Sequence, residues 1–467
     1  MNKKPNIIVF FTDQQRWDTT GVHGNPLGLT PNFDRVAARG THLFNSYTCQ
    51  PVCLPARCSF QTGKYAEAAG CFNNSQHLSP DDKTIAHHLN DAGYHTGYIG
   101  KWHLAPDDPV TEEYRGGYQT WLGANLAEFL SEPYDAQLFN NDNEAVKLPG
   151  YRPDAYTDAA IRFVDEHKEE PFFLFLSFLE PHHQNSCDAY CAPDGYREQY
   201  AGRWTPPDLA TLGGTSAHHL GGYYGCVKRI DECFGRMLDA LKSLGLDDDT
   251  IVIFTSDHGS HFKTRNDEYK RSCHDASIRV PTAITGPGFE RGGQVREMVS
   301  LIDLPPTILD AAGVDVPAEM HGRSLLPLVN RQTTDWPEEV FVQISESCVG
   351  RAIRTERWKY SVVAPDAHPF TDGSAEVYVE DALYDTHADP YEQNNLIGLE
   401  SLREVQDDLR DRLIRRMEAA DEKAPEIKPA EPWTDAQLYN NYEAVRELLR
   451  QLRTGELNEI YSNRKEK

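Results

Sequence analysis

The stretch from Cys53 to Lys64 reads Cys-Leu-Pro-Ala-Arg-Cys-Ser-Phe-Gln-Thr-Gly-Lys and gathers residues that could do chemistry. Pro55 suits the first turn of a helix, so Cys53 stands at a helix N-terminus, where amide groups and the dipole favour negative charge. Arg57 follows one turn on, and its guanidinium reaches the same corner. The arrangement suits a low-pKa thiolate nucleophile; a cysteine packed inertly in a turn is the plainer alternative.

The other candidates stand where apolar runs end. Residues 7–12 form a continuous apolar, β-branched run ending in Asp13-Gln14. That is the pattern of a central parallel strand, and ligands of open α/β sheets collect beyond the carboxyl ends of strands. A carboxylate there is a metal or substrate candidate, or simply a turn cap. Residues 95–100 read as a strand delivering Lys101-Trp102-His103, whose Lys and His point to one side. The plain alternative leaves Lys101 solvated and His103 packed on Trp102. Residues 172–179 are a buried strand followed by Glu180-Pro181-His182-His183-Gln184-Asn185, and residues 250–255 another, followed by Ser256-Asp257-His258-Gly259. Asp257 and His258 can ligate a divalent ion, and Gly259 lets backbone approach closely.

The spacing Cys53-x-Pro55-x-Arg57 with Thr62-Gly63 resembles the signature of the type I, formylglycine-dependent sulfatases of the alkaline phosphatase superfamily. The likeness extends to the opening Asn6-Ile7 run with Asp13, to Thr30-Pro31-Asn32, to Gly100-Lys101-Trp102-His103, and to Lys270 upstream of Arg279-Val280-Pro281. It implies that Cys53 is oxidised to formylglycine, whose hydrated aldehyde is the nucleophile. Asp13, Gln14, Asp257 and His258 would be the metal shell, and Arg57, Lys101, His103 and Lys270 would hold the sulfuryl group. His182 would serve the leaving group, with His183, Gln184 and Asn185 as substrate readers. Gln14 and His258 replace the Asp and Asn that many sulfatases carry, which lowers ligand charge; calcium is the expected ion, with manganese or magnesium as alternatives. The expected substrate is a sulfated mono- or oligosaccharide, and the expected partner a formylglycine-generating maturation enzyme. Two rivals stand beside this reading: a phosphonate monoester or phosphodiester hydrolase of the same superfamily, and a non-catalytic glycan-binding pseudoenzyme if Cys53 is unmodified.

Composition narrows the field. Lys plus Arg number 46 against 72 Asp plus Glu, a net charge of −26, which argues against nucleic acid and anionic membranes as partners. Attraction for a sulfate must then be local. The ten cysteines show neither disulfide-framework density nor paired zinc spacing, so a reduced compartment fits, with Cys187 and Cys191 a possible bridge. The first apolar run is too short for a signal or a membrane span. A cytoplasmic location is expected, or a periplasmic or secreted one if a signal was removed.

Several elements must position these residues. Helices are expected at 30–40, 84–92, 157–167 and 220–244, the last from an apolar stripe at helical spacing, and at 300–313. Residues 104–150, rich in Asp, Asn, Gly and Pro, read as irregular connection. After about residue 338 short strands at 340–344, 352–355 and 358–363 precede a helix opened by a Ser401–Glu404 capping box. The fold expected is α/β and alkaline-phosphatase-like: a mixed, mostly parallel central sheet flanked by helices, with a smaller C-terminal α+β subdomain. Residues 1–337 would form the catalytic domain and 338–467 the subdomain, whose charged helical tail could wrap the body or join a homo-oligomer.

Overall fold

The structure, a computed structural model, describes residues 4–290, 293–332, 335–434, 445–447 and 449–451. Its frame is a ten-stranded sheet ordered Gly293–Ser300, Thr41–Tyr47, Ala283–Thr285, Thr250–Ser256, Asn6–Thr12, Phe172–Ser177, His95–Lys101, Thr120–Ala124, Ala136–Phe139 and Ala145–Leu148. Asn6–Thr12 runs parallel to both neighbours, pairing Val9 with Phe175 and with Ile253. Both faces of these central strands are covered, which is why they read as unbroken apolar runs.

The alternation along Asn6–Thr12 divides the core. Ile7, Val9 and Phe11 pack with Leu54, Phe60, Ile85, Leu89 and Ile308 on one face. Ile8 and Phe10 pack with Phe33, Tyr156, Phe163, Ile230 and Phe234 on the other. The first face is covered by helices Cys53–Thr62, Ile85–Asp91 and Leu304–Ala311, the second by Pro31–Arg39, Arg152–Glu166 and Ser216–Ser243. Two helices begin earlier than periodicity indicates, at Arg152 with Pro153 in its first turn and at Ser216.

Residues 104–150 depart from the expected irregular connection. They supply three strands that extend the sheet at one edge, the last two as an antiparallel pair from Ala136↔Leu148 to Phe139↔Ala145. Ala145–Leu148 is half exposed, so it lacks the apolar run that marks a central strand. At the other edge Thr41–Tyr47 and Gly293–Ser300 pair in parallel, a contact the sequence pattern did not announce.

A second sheet starts at Glu339: Glu339–Ile344, Gly350–Thr355, Trp358–Val363 and Val377–Asp385 form an antiparallel meander, with Glu426–Lys428 added in parallel. Helix Arg403–Ala419 lays Leu409, Leu413 and Met417 on Ile353, Tyr360 and Val362. The expected Ser401–Glu404 capping box does not form; a short turn, Glu400–Leu402, leads into the helix without a side-chain cap. The meander is tied to the main body by Gln343 N–H donating to the Cys49 carbonyl (2.9 Å) and by Arg354 pairing with Asp275 (3.2 Å). Most of the expected helical tail lies outside the described residues. Among the described residues no helix is long and apolar enough to cross a membrane.

Candidate active site

The carboxyl ends of four parallel strands and the start of one helix meet at a single buried point. Cys53 is the first residue of helix Cys53–Thr62 and is 1% exposed. Asp13 follows Asn6–Thr12, Lys101 ends His95–Lys101, His182 follows Phe172–Ser177, and Asp257 and His258 follow Thr250–Ser256. Gly100 makes one of these ends possible. It sits at φ 108°, and a Cβ there would lie 1.8 Å from the Ser177 carbonyl oxygen, so only glycine allows the close approach. Gln14 and His103 hold left-handed backbone themselves, at φ 68° and 59°.

Cys53 Sγ lies 2.8 Å from Lys270 Nζ, 3.2 Å from His258 Nε2 and 3.6 Å from Asp13 Oδ1. Asp13 Oδ2 accepts from Lys101 Nζ at 2.9 Å and from Arg57 Nη2 at 3.0 Å. Arg57 Nη1 donates to Ser177 Oγ (2.7 Å) and to the Lys101 carbonyl (2.9 Å), while Nη2 lies 3.2 Å from Asp257 Oδ2. Lys270 Nζ also stands 3.2 Å from His258 Nε2 and 3.4 Å from His182 Nε2. His182 Nδ1 is tied to the His183 carbonyl at 2.6 Å, leaving Nε2 toward the centre.

The electrostatics follow from crowding without water. Burial opposes ionisation of Cys53, but Lys101, Lys270 and His258 overcome it and hold the thiol well below its usual range, with His103 also facing the sulfur. Burial would likewise raise Asp13, yet Lys101, His182 and Arg57 keep it ionised. Asp257 is pushed up to about 6 by burial and by Asp13. Burial lowers the basicity of His182, with Lys270 adding to the effect; His258 is raised by Asp257 against its own burial.

Two buried carboxylates facing each other call for a cation. Asp13, Cys53, Asp257 and His258 place ligand atoms within 4.8 Å of one another, all buried, and Asp257 Oδ2 has the Arg57 guanidinium 3.2 Å away but accepts no hydrogen bond. Two carboxylates and one imidazole gathered around the Cys53 position fit a divalent metal. Gln14 stands beside it: its N–H donates to Asp257 Oδ1 (3.0 Å), its Oε1 accepts from His183 N–H (3.3 Å), and its Nε2 donates to Tyr190 and Ser260.

The chain matches the sulfatase family model over residues 5–314 and the model of the N-sulphoglucosamine sulphohydrolase C-terminal region over residues 267–419. The chain belongs to the sulfatase family. Sulfatases are sulfuric ester hydrolases, and the family implies a metal ion and a formylglycine. This sulfatase is 30% identical to the ulvan-active sulfatase of Formosa agariphila, across 89% of its own length and 81% of that protein. It is 26% identical to the N-acetylglucosamine-6-O-sulfatase of Bacteroides thetaiotaomicron, across 85% and 83%. A solved structure in complex with its substrate D-glucosamine-2-N,6-O-disulfate superposes with a TM-score of 0.74 at 24% identity, over 90% of this chain and 98% of that one.

The structure gathers Cys53, Asp13, Arg57, Lys101, His103, His182, Asp257, His258 and Lys270 of this sulfatase at one point, with Gln14 adjoining. The three residues after His182 lie further out. His183 Nδ1 meets Asn185 Oδ1 at 3.0 Å. Gln184 is buried and turned into the protein: it accepts from Arg152 Nη2 (3.2 Å) and donates to the Glu128 carbonyl (2.8 Å), so it braces the segment carrying Glu128 rather than reading a ligand.

Sequence reading missed Glu128 and Ser177. Glu128 Oε1 lies 3.2 Å from Lys101 Nζ, and its carboxyl is held low against burial by Lys101 and His103. It comes from the segment read as irregular, and no local pattern marks it. Ser177 had one signal, as the single polar residue inside the run 172–179.

Proposed function

We propose that this sulfatase hydrolyses a sulfate monoester of a mono- or oligosaccharide, using formylglycine made from Cys53. The observation that carries the reading is the convergence of Lys270, His258 and Asp13 on Cys53 Sγ within 3.6 Å. Relatives that act on ulvan and on N-acetylglucosamine sulfate support the sugar. Cys53 and every other residue of its helix are buried, so conversion by a maturation enzyme must precede folding of this segment.

As its hydrate, the aldehyde supplies the oxygen nucleophile for attack on sulfur. Asp13, Asp257 and His258 would hold calcium, two carboxylates suiting that ion, with Gln14 beside them and its Oε1 accepting from the His183 N–H. When bound, such an ion offsets charge on the sulfuryl oxygens. Lys101, Lys270 and Arg57 surround the same point from other sides and stabilise the charge that builds there in the transition state. With Nδ1–H donated to the His183 carbonyl, His182 Nε2 is the atom that transfers a proton, and its lowered basicity favours release to the departing sugar oxygen. His103 takes the proton whose loss expels sulfate and restores the aldehyde.

The test is turnover by the matured protein of an aryl sulfate, an aryl phosphonate monoester and a panel of sulfated sugars, with the mass of the Cys53 peptide measured in the same sample. Sulfate turnover well above phosphonate turnover, with Cys53 converted, is expected. Preference for the phosphonate would replace this reading with the phosphonate hydrolase; a converted enzyme inert on all sugars but active on the aryl sulfate would remove the carbohydrate.

A further inference from the structure

A cavity of about 450 Å³ adjoins the reacting centre. Tyr269 lines it and presents its ring edge-on to His182, centroids 5.7 Å apart. In the cavity wall His183, Asp188 and His219 each bring a ligand atom within 4.8 Å of the others. They come from two separate parts of the chain, the segment after strand Phe172–Ser177 and the first turn of helix Ser216–Ser243.

The local hydrogen bonding prepares this trio. His183 Nδ1 faces Asn185 Oδ1 at 3.0 Å, which fixes the ring and turns Nε2 the other way. Nε2 stands 3.1 Å from Asp188 Oδ1. The His219 ring stands nearly perpendicular to that of His183, at 85° and 5.4 Å between centroids. Asp188 is exposed and sits in left-handed backbone at φ 47°, a conformation that Asp adopts more readily than most residues. Two imidazoles and one carboxylate, one imidazole fixed by a hydrogen bond behind it, make a donor set suited to zinc, with a remaining position for solvent or ligand.

We propose that His183, Asp188 and His219 form a zinc site, separate from the centre around Cys53, whose free coordination position opens into the cavity. It does not rest on the reaction proposed above. Tyr190 and Tyr269 flank the trio with rings 5.2 and 5.6 Å from His183, so a ligand oxygen on the ion would sit between aromatic faces.

The protein loaded with its catalytic ion is dialysed against micromolar zinc, and both metals are counted by elemental mass spectrometry. One added zinc per chain is expected, with the catalytic ion retained. His219→Ala, a change on a half-exposed face of a long helix, and Asp188→Asn should each weaken zinc retention at least tenfold while leaving the melting temperature within a few degrees. Cobalt in place of zinc should give visible bands that vanish in His219→Ala. The proposal is overturned if the protein takes up no zinc, which would leave His183 and Asp188 a simple ion pair. Zinc that displaces the catalytic ion one for one, zinc retained by His219→Ala as by the parent, or uptake abolished only by Cys187→Ser with Cys191→Ser would overturn it too.

Discussion

Lys270→Met keeps the length of the side chain and its packing on Tyr269, whose ring centroid lies 5.4 Å from Nζ, while removing the charge. In the parent, Nζ lies 2.8 Å from Cys53 Sγ. A unit charge about 4 Å from developing negative charge is worth about 4 kcal/mol at an effective dielectric near 20. Removing one oxyanion donor from an active site costs a similar amount, about 3–4 kcal/mol. The expected loss in kcat is therefore roughly a hundred- to a thousandfold. Stability should move the other way. Lys270 is fully buried, and among the described residues no carboxylate lies within 4 Å of it, so its desolvation is compensated chiefly by the Cys53 thiolate. Once Cys53 is an aldehyde that partner is gone, and the methionine variant should be more stable by about 1 kcal/mol. Lys270 also lowers the basicity of His182, so the limb of the pH–rate profile set by His182 should shift to higher pH. Single-turnover hydrolysis of an aryl sulfate across pH, paired with thermal melts, reads all three effects. A kcat loss below threefold, or a variant less stable than the parent, would refute the reasoning.

Three further outcomes are expected. Cys53→Ala should abolish turnover with an unchanged melting profile, since the side chain supplies the nucleophile; residual turnover above a few per cent would remove Cys53 from that role. His42 is buried beside Arg279, which together lower its pKa from 6.5 to about 4. The unfolded chain then binds the proton more readily between those values, so stability falls as pH drops from about 6.5 to 4, by up to about 3 kcal/mol from this group. His42→Phe, packed among Phe33, His23 and Phe44, should flatten that slope in urea melts, and an unchanged slope would acquit His42. Because the chain carries a net charge of −26, kcat/KM should be higher on a sugar with one or two sulfates than on a polysulfated chain. Added salt should narrow that gap, and a polymer preferred at low salt would disprove it.

What the amino-acid sequence determined alone was local: where strands end, where a helix begins, and which reactive residues stand at those ends. Asp13, His182 and Asp257 were legible because each stands just beyond an apolar run, and a strand buried on both faces permits little else; Lys101 was legible from Gly100-Lys101-Trp102-His103. Cys53 was legible because Pro55 and Arg57 mark a helix start with a cation one turn on. The short edge strands within 104–150 escaped, because half-exposed strands of four residues carry no run or alternation long enough to see. The capping box failed for a related reason, since Ser401 and Glu404 fit the pattern while the docked chain opened the helix with a turn instead.

Only the tertiary structure decided which of these ends meet. Gln14 N–H reaches an Asp257 carboxylate 243 residues away, and Lys270 Nζ reaches a Cys53 sulfur 217 residues away, because parallel strands with helical crossovers bring distant strand ends to one edge. Glu128 and the turning of Gln184 away from the cleft were decided at the same level. A carboxylate in an irregular stretch announces nothing until a buried ammonium lies 3.2 Å from it, and an amide's partners depend on what the fold packs around both of its ends. Charge and hydrogen-bond satisfaction in a dry interior are properties of the assembled neighbourhood, and no window of sequence contains that neighbourhood.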